Sequence, residues 1–258
     1  MNTCGKNVSM DRPKIDKNRT PYDIESNVEG FHWWFVVRRK LLRSVLSSIK
    51  VPQNRIALEV GCGTGANLRV LESAGVFGIG LDQSLYALNL IKKKENPPLL
   101  AGDLNYLPMK TKSIGLIIAM DVFEHLDHDE NGMSECYRVL NHGGILVLTV
   151  PAFKFLWGVQ DDVTGHKRRY TMKEIKVKLR QGGFGIQRSS FFNFFLFFPI
   201  LFARRIIGFL NLRIESENKM NHPFINNILK RIFSLEPYFL KYISFPFGVS
   251  ILCVGRKD

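Results

Sequence analysis

The chain has 258 residues, 45% of them hydrophobic, which is enough for one α/β domain with additions and excludes general disorder. A formal net charge of +13 points to an anionic partner, whether phosphorylated substrate, nucleic acid or anionic membrane surface. Four cysteines at positions 4, 62, 136 and 253 form no CxxC pair, which argues against a disulfide framework or structural zinc and for a reducing, cytoplasmic compartment.

In chain order, Met1 to Thr20 is polar, lacks an apolar core and reads as a tail rather than a secretory signal. Phe31-His-Trp-Trp-Phe-Val-Val-Arg-Arg-Lys-Leu-Leu-Arg43 predicts a helix ahead of the first strand. Its Trp33 and Trp34 either close over a site as a lid or pack into the core. Ile56-Ala-Leu-Glu-Val-Gly-Cys-Gly-Thr-Gly-Ala66 then reads as a buried strand breaking into a glycine turn. Without a Cβ, glycine lets the backbone bend sharply and approach a ligand closely. A helix over Thr64 to Ser73 would aim its N-terminus at the same spot. Glu59, just before the turn, suits a cationic group better than a phosphate. Gly61-x-Gly63-x-x-Ala66 also fits a dinucleotide fingerprint, with Asp82 about 20 residues on as a ribose acid. The loop by itself therefore leaves a nicotinamide and a methyl donor both open.

Further strands are predicted at Gly78–Leu81, Leu99–Gly102, Ile114–Met120, Ile145–Val150, Phe184–Phe192 and Val249–Gly255. Each is a short apolar run between turn residues. Helical patterns fall between them at Ser84–Lys94 and Glu130–Leu140, and Asn141-His-Gly-Gly144 reads as the stop of the second. This alternation predicts an α/β fold with a doubly wound, mostly parallel seven-stranded sheet. The expected organisation is a tail and lid helix over 1–52, a core domain over 53–192 plus 245–258, and an insertion over 193–244.

Chemistry clusters at the predicted strand ends. Asp82 ends the second strand, Gly102-Asp103-Leu104 the third and Met120-Asp-Val-Phe-Glu-His125 the fourth, while Leu140-Asn-His-Gly-Gly144 precedes the fifth. As an ordered set, these motifs resemble the class I S-adenosylmethionine-dependent methyltransferases over roughly 53–190 and the final strand. The resemblance implies a Rossmann-like fold with S-adenosyl-L-methionine as cofactor. It also implies that Glu59 and the backbone of Gly61, Cys62, Gly63 and Gly65 lie near the methionine moiety. Asp82, with Gln83 beside it, would hold the ribose, Asp103 and Leu104 the adenine, and Asp121 would line the methionine side.

The acceptor is expected at the loop Val150 to Thr171, because ligands of open α/β sheets bind beyond the carboxyl ends of the strands. This loop resembles a P-A-x-x-x-L-W…D…G-H-x-R-R-Y-T pattern in a bacterial and archaeal subgroup associated with surface glycans or lipids. Trp157, Arg168, Arg169 and Tyr170, with Trp34, are the candidate acceptor residues. Arg168 and Arg169 either grip phosphate or carboxylate or brace the loop on Asp161 or Asp162. For a general base, histidine has a near-neutral reference pKa. His166 is preferred, with His125 next and His128 a competitor. Glu124, His125 and His128 also have a spacing compatible with metal ligation, but no metal site is assigned.

Phe191 to Ala203 is unusually apolar, yet short of the ~20 residues that span a bilayer. From Pro199 onward, Arg204, Gly208, Asn211 and Glu215 share one helical stripe. Pro223 to Leu235 places Ile225, Ile228, Leu229 and Ile232 on one face and Asn226, Asn227, Lys230 and Arg231 on the other. Two amphipathic helices with basic faces predict an interfacial anchor on an anionic membrane, against the alternative of a helical pair packed on the core. The function expected is O-methylation of a lipid-linked, glycan-like or phosphorylated small molecule by a cytoplasmic enzyme, peripheral on the inner face of the membrane. The alternatives are a non-catalytic cofactor-binding or membrane scaffold and a nicotinamide oxidoreductase. Nucleic acid ranks low, because the chain has no base-pocket motif of the Asn-Pro-Pro-Tyr type.

Overall fold

The computed structural model describes residues 19–51, 56–93, 97–210, 217 and 222–258. Cys4, Asn211, Glu215 and the 1–18 part of the polar tail lie outside them. The strand Ile56–Val60 (β1) sits at the centre of a seven-stranded sheet because both its faces are apolar, with Ala57, Leu58 and Val60 buried. On one side lie Phe77–Asp82 (β2) and then Leu99–Ala101 (β3). On the other come Ile114–Met120 (β4), Leu140–Pro151 (β5), Ser250–Lys257 (β7) and Phe184–Phe192 (β6), giving the order β3-β2-β1-β4-β5-β7-β6. All pairings are parallel except those of β7, which runs antiparallel between β5 and β6. All seven expected strands are present.

β5 starts at Leu140 rather than at Ile145. The helix Asp129–Val139 (α5) ends one residue earlier, and Leu140 already pairs with Ile114. Asn141-His-Gly-Gly144 is thus a strand irregularity and not a separate helix stop. Gly143, at φ 72°, takes the kink, and a Cβ on Gly144 would lie 2.8 Å from the carbonyl oxygen of Asn141.

The helix Trp33–Ser48 (α2) buries Phe35, Val37, Leu41, Leu42, Val45 and Leu46, a spacing that lines one helical face. Ahead of it, Arg19–Val28 (α1) is a helix that the sequence reading did not anticipate. After β1 come Ala66–Ser73 (α3) and, after β2, Leu85–Lys92 (α4), whose N-cap Ser84 accepts from the Ala87 amide. Val159–Thr164 (α6) and Met172–Gln181 (α7) follow β5, and α7 packs on β6 and α5.

Between β6 and β7 lie Phe197–Phe209 (α8), Pro223–Phe233 (α9) and Glu236–Phe239 (α10). Two expectations for this insertion are corrected. Asn226, assigned to the solvent face, is buried: its Oδ1 accepts from the Trp33 amide at 2.7 Å and its Nδ2 donates to the Phe31 carbonyl at 3.1 Å. Arg204 also points inward, while Phe202, Ile206 and Phe209 are exposed. The reason is tertiary. Phe233 stacks on Trp34, which stacks on Phe192, and this clamps α9 against α2. Each such aromatic pair contributes about 0.5–1.5 kcal/mol beyond its buried area. The inner side of the insertion is thus packed on the core and its outer side is an apolar surface.

Candidate active site

A cavity of about 670 Å³ opens at the carboxyl ends of the central strands. Its first wall follows β1. Gly61 and Gly63 have φ of 66° and 51°, and a Cβ on Gly61 would come within 2.7 Å of Val122. Glycine is required there on both counts. Glu59 is buried; its Oε1 accepts from Asn67 at 2.8 Å, and its Oε2 has no partner. Burial raises its pKa to about 8, against the opposing Asn67 hydrogen bond and Arg38 charge. Asp82, at the end of β2, accepts from the Gly63 amide at 2.8 Å, the Ser84 amide at 2.8 Å and the Tyr22 hydroxyl at 3.3 Å. Asp121, at the end of β4, pairs with Arg38 at 2.9 Å and accepts from Thr149.

The second wall combines three segments. After β4, the turn Phe123–His125 carries Glu124, which is fully buried, and His125, whose pKa burial lowers to about 4. After β5, Asp161 binds Nδ1 of His166 at 2.7 Å, the Arg169 guanidinium at 2.8 and 3.0 Å and the Gly158 amide at 2.8 Å. Burial opposes ionisation of Asp161, but the hydrogen bonds from His166 and Arg169 outweigh it and hold the carboxyl at about 2. An ionised Asp161 keeps the proton on Nδ1 and, in the neutral ring, the lone pair on Nε2 of His166. From the insertion, Arg204 reaches into the same wall, donating to the Leu156 carbonyl and to Glu217 at 2.8 Å. Asn193, just past β6, also lines the cavity; it is buried, and neither atom of its amide has a partner.

Two of the cavity's lining residues, Asp121 and Asn193, carry backbone strain, as do Phe153 nearby and Lys112 elsewhere. Asp121, Phe153 and Asn193, which lie just past β4, β5 and β6, all have positive φ, at 58°, 54° and 57°. Non-glycine residues adopt that conformation rarely, and such outliers gather at functional sites.

The cavity brings together Glu59, Gly61, Cys62, Gly63, Asp82, Gln83, Leu104, Asp121, His125, His166, Arg169 and Trp34 among the residues singled out from sequence. It does not include Gly65, Asp103, Trp157, Arg168 or Tyr170. Asp103 instead holds the amide and side chain of Asn105 in the turn after β3. Trp157 is exposed and donates to Asp162. Arg168 braces the Asp127 carbonyl and Asp129, and the buried Tyr170 hydroxyl donates to Asp129 at 2.7 Å. Arg169 faces the cavity, but its donors are taken by Asp161 and the Ala152 carbonyl. The sequence reading missed Tyr22, Arg38, Asp161 and Asn193 as wall residues. For Arg38, the only signal was its place one helical turn after Trp34.

Residues 58–148 match the family model described as a methyltransferase domain. With the seven-stranded sheet, this match identifies a class I S-adenosylmethionine-dependent methyltransferase domain within the chain. The chain is 27% identical to an uncharacterized protein of Methanocaldococcus jannaschii, across 81% of this chain and 80% of the other. It is also 27% identical to a probable S-adenosylmethionine-dependent methyltransferase of Mycolicibacterium smegmatis, across 52% of this chain and 53% of that one. Among solved structures, an Archaeoglobus fulgidus SAM-dependent methyltransferase shares the fold, with a TM-score of 0.54 and 19% identity across 85% of this chain and 94% of that one. The unpartnered oxygen of Glu59 and the bare backbone of Gly61 to Gly63 fit a cationic donor of this kind.

Proposed function

We propose that the enzyme methylates a hydroxyl of a lipid-linked acceptor at the membrane surface. One observation carries the reading: the element that closes the acceptor wall, through Arg204 and Ile200, also turns an apolar outer face to solvent. Phe198, Phe202 and Phe209 of α8 and Phe224, Ile225 and Ile228 of α9 are all more than 40% exposed. Arg205 and Arg231 are exposed on the same two helices. Apolar side chains flanked by cations suit insertion into anionic headgroups. Among the described residues, no helix is long and apolar enough to cross a membrane. The phosphorylated-acceptor variant loses its support, since Arg168 and Arg169 are already engaged by Asp129 and Asp161.

When bound, S-adenosylmethionine supplies a methyl group already activated by its sulfonium. The protein's task is then alignment and exclusion of water. In this reading Glu59 takes the donor's ammonium, Arg38 its carboxylate and Asp82 the ribose, with Leu104 covering the adenine. Trp34 and the unpartnered amide of Asn193 hold the acceptor. His166, oriented by Asp161, receives the acceptor's proton, and His125 packs edge-on against it with ring centres 4.8 Å apart.

Labelled methyl transfer to a membrane lipid extract tests the chemistry. Transfer to an extracted lipid is the expected result, and intact donor binding without any transfer would favour a scaffold instead. Vesicle sedimentation tests the surface. Phe202→Asp with Phe209→Asp should release the protein from anionic vesicles without changing donor affinity, and unchanged sedimentation would remove the membrane reading.

A further inference from the structure

Glu124 poses a physical problem that methyl transfer does not explain. Its side chain is 0% exposed, and neither carboxylate oxygen has a hydrogen-bond partner. Isolated buried carboxylates are strongly disfavoured, and a native one calls for a compensating group such as an ion. Two imidazoles stand beside it. Nε2 of His166 lies 3.7 Å from Oε1 of Glu124, and one ligand atom from each of Glu124, His125 and His166 falls within 4.8 Å of the others.

We propose that Glu124, His125 and His166 bind a divalent transition-metal cation at the acceptor end of the cavity. Sequence spacing had suggested His128 as the third group. That side chain is 72% exposed and pairs with Glu130, whereas His166 is brought in from the loop after β5. The amide of Lys167 donates to the Glu124 carbonyl at 2.9 Å and ties this loop to the turn after β4.

The surrounding partners are those that metal-binding histidines use. A ligating imidazole donates its other N–H to a carboxylate or a backbone carbonyl, which fixes its tautomer and orientation. His166 does this with Asp161 at 2.7 Å. Asp161 is itself locked by Arg169 and the Gly158 amide. Two imidazoles and one carboxylate form a donor set for zinc, manganese or iron rather than for calcium or magnesium. Ligand distances of about 2.0–2.2 Å would require the widest pair to close on the ion. His125 and His166 line the cavity, so the open coordination position faces the acceptor.

The inference rests on the acceptor-end assignment above and refines how the proton is lost. An acceptor hydroxyl bound to the cation releases its proton to water, and the imidazole of His166 acts as a ligand rather than as the recipient. The resulting oxyanion forms the O–CH3 bond as the C–S bond breaks, and that electron pair stays on sulfur. Coordination lowers the pKa of a bound hydroxyl in this way without a protein base.

The test uses the full chain without a histidine tag, stripped with chelator and dialysed. It is titrated with MnCl2, with free Mn2+ followed by electron paramagnetic resonance, and with ZnCl2 by calorimetry. One ion per chain is expected, with Mg2+ binding far more weakly. Glu124→Gln and His166→Ala should weaken binding by more than the about 10–100-fold that loss of a supporting partner costs, and Asp161→Asn by about that amount. His128→Ala should leave it unchanged. S-adenosylhomocysteine binding reports whether each variant is folded, and His125→Ala replaces any variant that is not. A native protein that binds S-adenosylhomocysteine but neither Mn2+ nor Zn2+ would overturn the site, as would unchanged affinity in Glu124→Gln and His166→Ala. Metal binding that persists without any lipid methylation would instead count against the proposed acceptor.

Discussion

The two walls of the cavity are held by different means. The donor wall takes its carboxylates from the ends of β1, β2 and β4, with Tyr22 and Arg38 added from α1 and α2, and its shape is set by the backbone of Gly61 and Gly63. The acceptor wall is assembled from the turn at Phe123–His125, the loop after β5 and the insertion, joined by charged side chains that converge on Asp161. One wall follows from local geometry and the other from a buried network. A buried network fails when any one member is removed, because its partners are left uncompensated.

The largest test of that contrast is Asp161→Ala. Asp161 is 0% exposed and the side chain of Arg169 only 3%, so the substitution strands a buried guanidinium. Urea unfolding should show a loss of about 3–5 kcal/mol; a loss under about 1 kcal/mol would mean that the network does not hold the wall. Gly61→Arg strikes the other wall. A side chain at φ 66° pressing on Val122 should reduce donor affinity more than about 100-fold, or ~2.7 kcal/mol, by calorimetry. Near-native affinity would show that the glycine turn is not where the donor lies. Asn226→Ala, far from the chemistry, removes a buried side chain and leaves the half-buried Trp33 amide without its partner. It should cost about 1–3 kcal/mol in stability, with the donor affinity of the folded fraction unchanged.

A further test concerns pH. Glu59 has its pKa raised from 4.5 to about 8 by burial, so the native state favours the protonated carboxyl. Its contribution to stability is then full below the ordinary value of about 4.5 and is lost as pH rises through about 8. Glu25, raised to about 7, acts in the same direction. Urea midpoints at pH 5 and pH 8 should therefore differ less in Glu59→Gln than in the native protein. A cationic donor should reverse the preference of Glu59, so binding at pH 7 should release protons, detectable by calorimetry in buffers of different ionisation enthalpy. Equal proton release by Glu59→Gln would assign that release to another group.

Much of this architecture was legible in the chain. Each strand is an apolar run bounded by turn residues, and the carboxylates at Glu59, Asp82 and Asp121 sit at strand ends, where sequence position and spatial position coincide. The acceptor loop was legible as a segment but not residue by residue. Trp157, Arg168 and Tyr170 carry the chemistry of recognition, yet their bonds go to Asp162 and Asp129. The outward face of α8 was likewise misjudged, because helical periodicity gives the faces of a helix and not which of them the core will cover.

The sequence by itself determined the sheet and the glycine turn, since these depend on backbone conformation and hydrophobic pattern over short spans, and the resemblance of its ordered motifs to a known family pointed to the class of donor. Only the tertiary structure decided that Asp161 orients His166, that His166 rather than His128 stands by Glu124, and that Asn193 leaves its amide free. Asp161 and His166 share one loop, but that loop, Glu124 and Asn193 lie tens of residues apart along the chain. Their meeting depends on how β4, β5 and β6 end at one edge of the sheet, which no local pattern encodes.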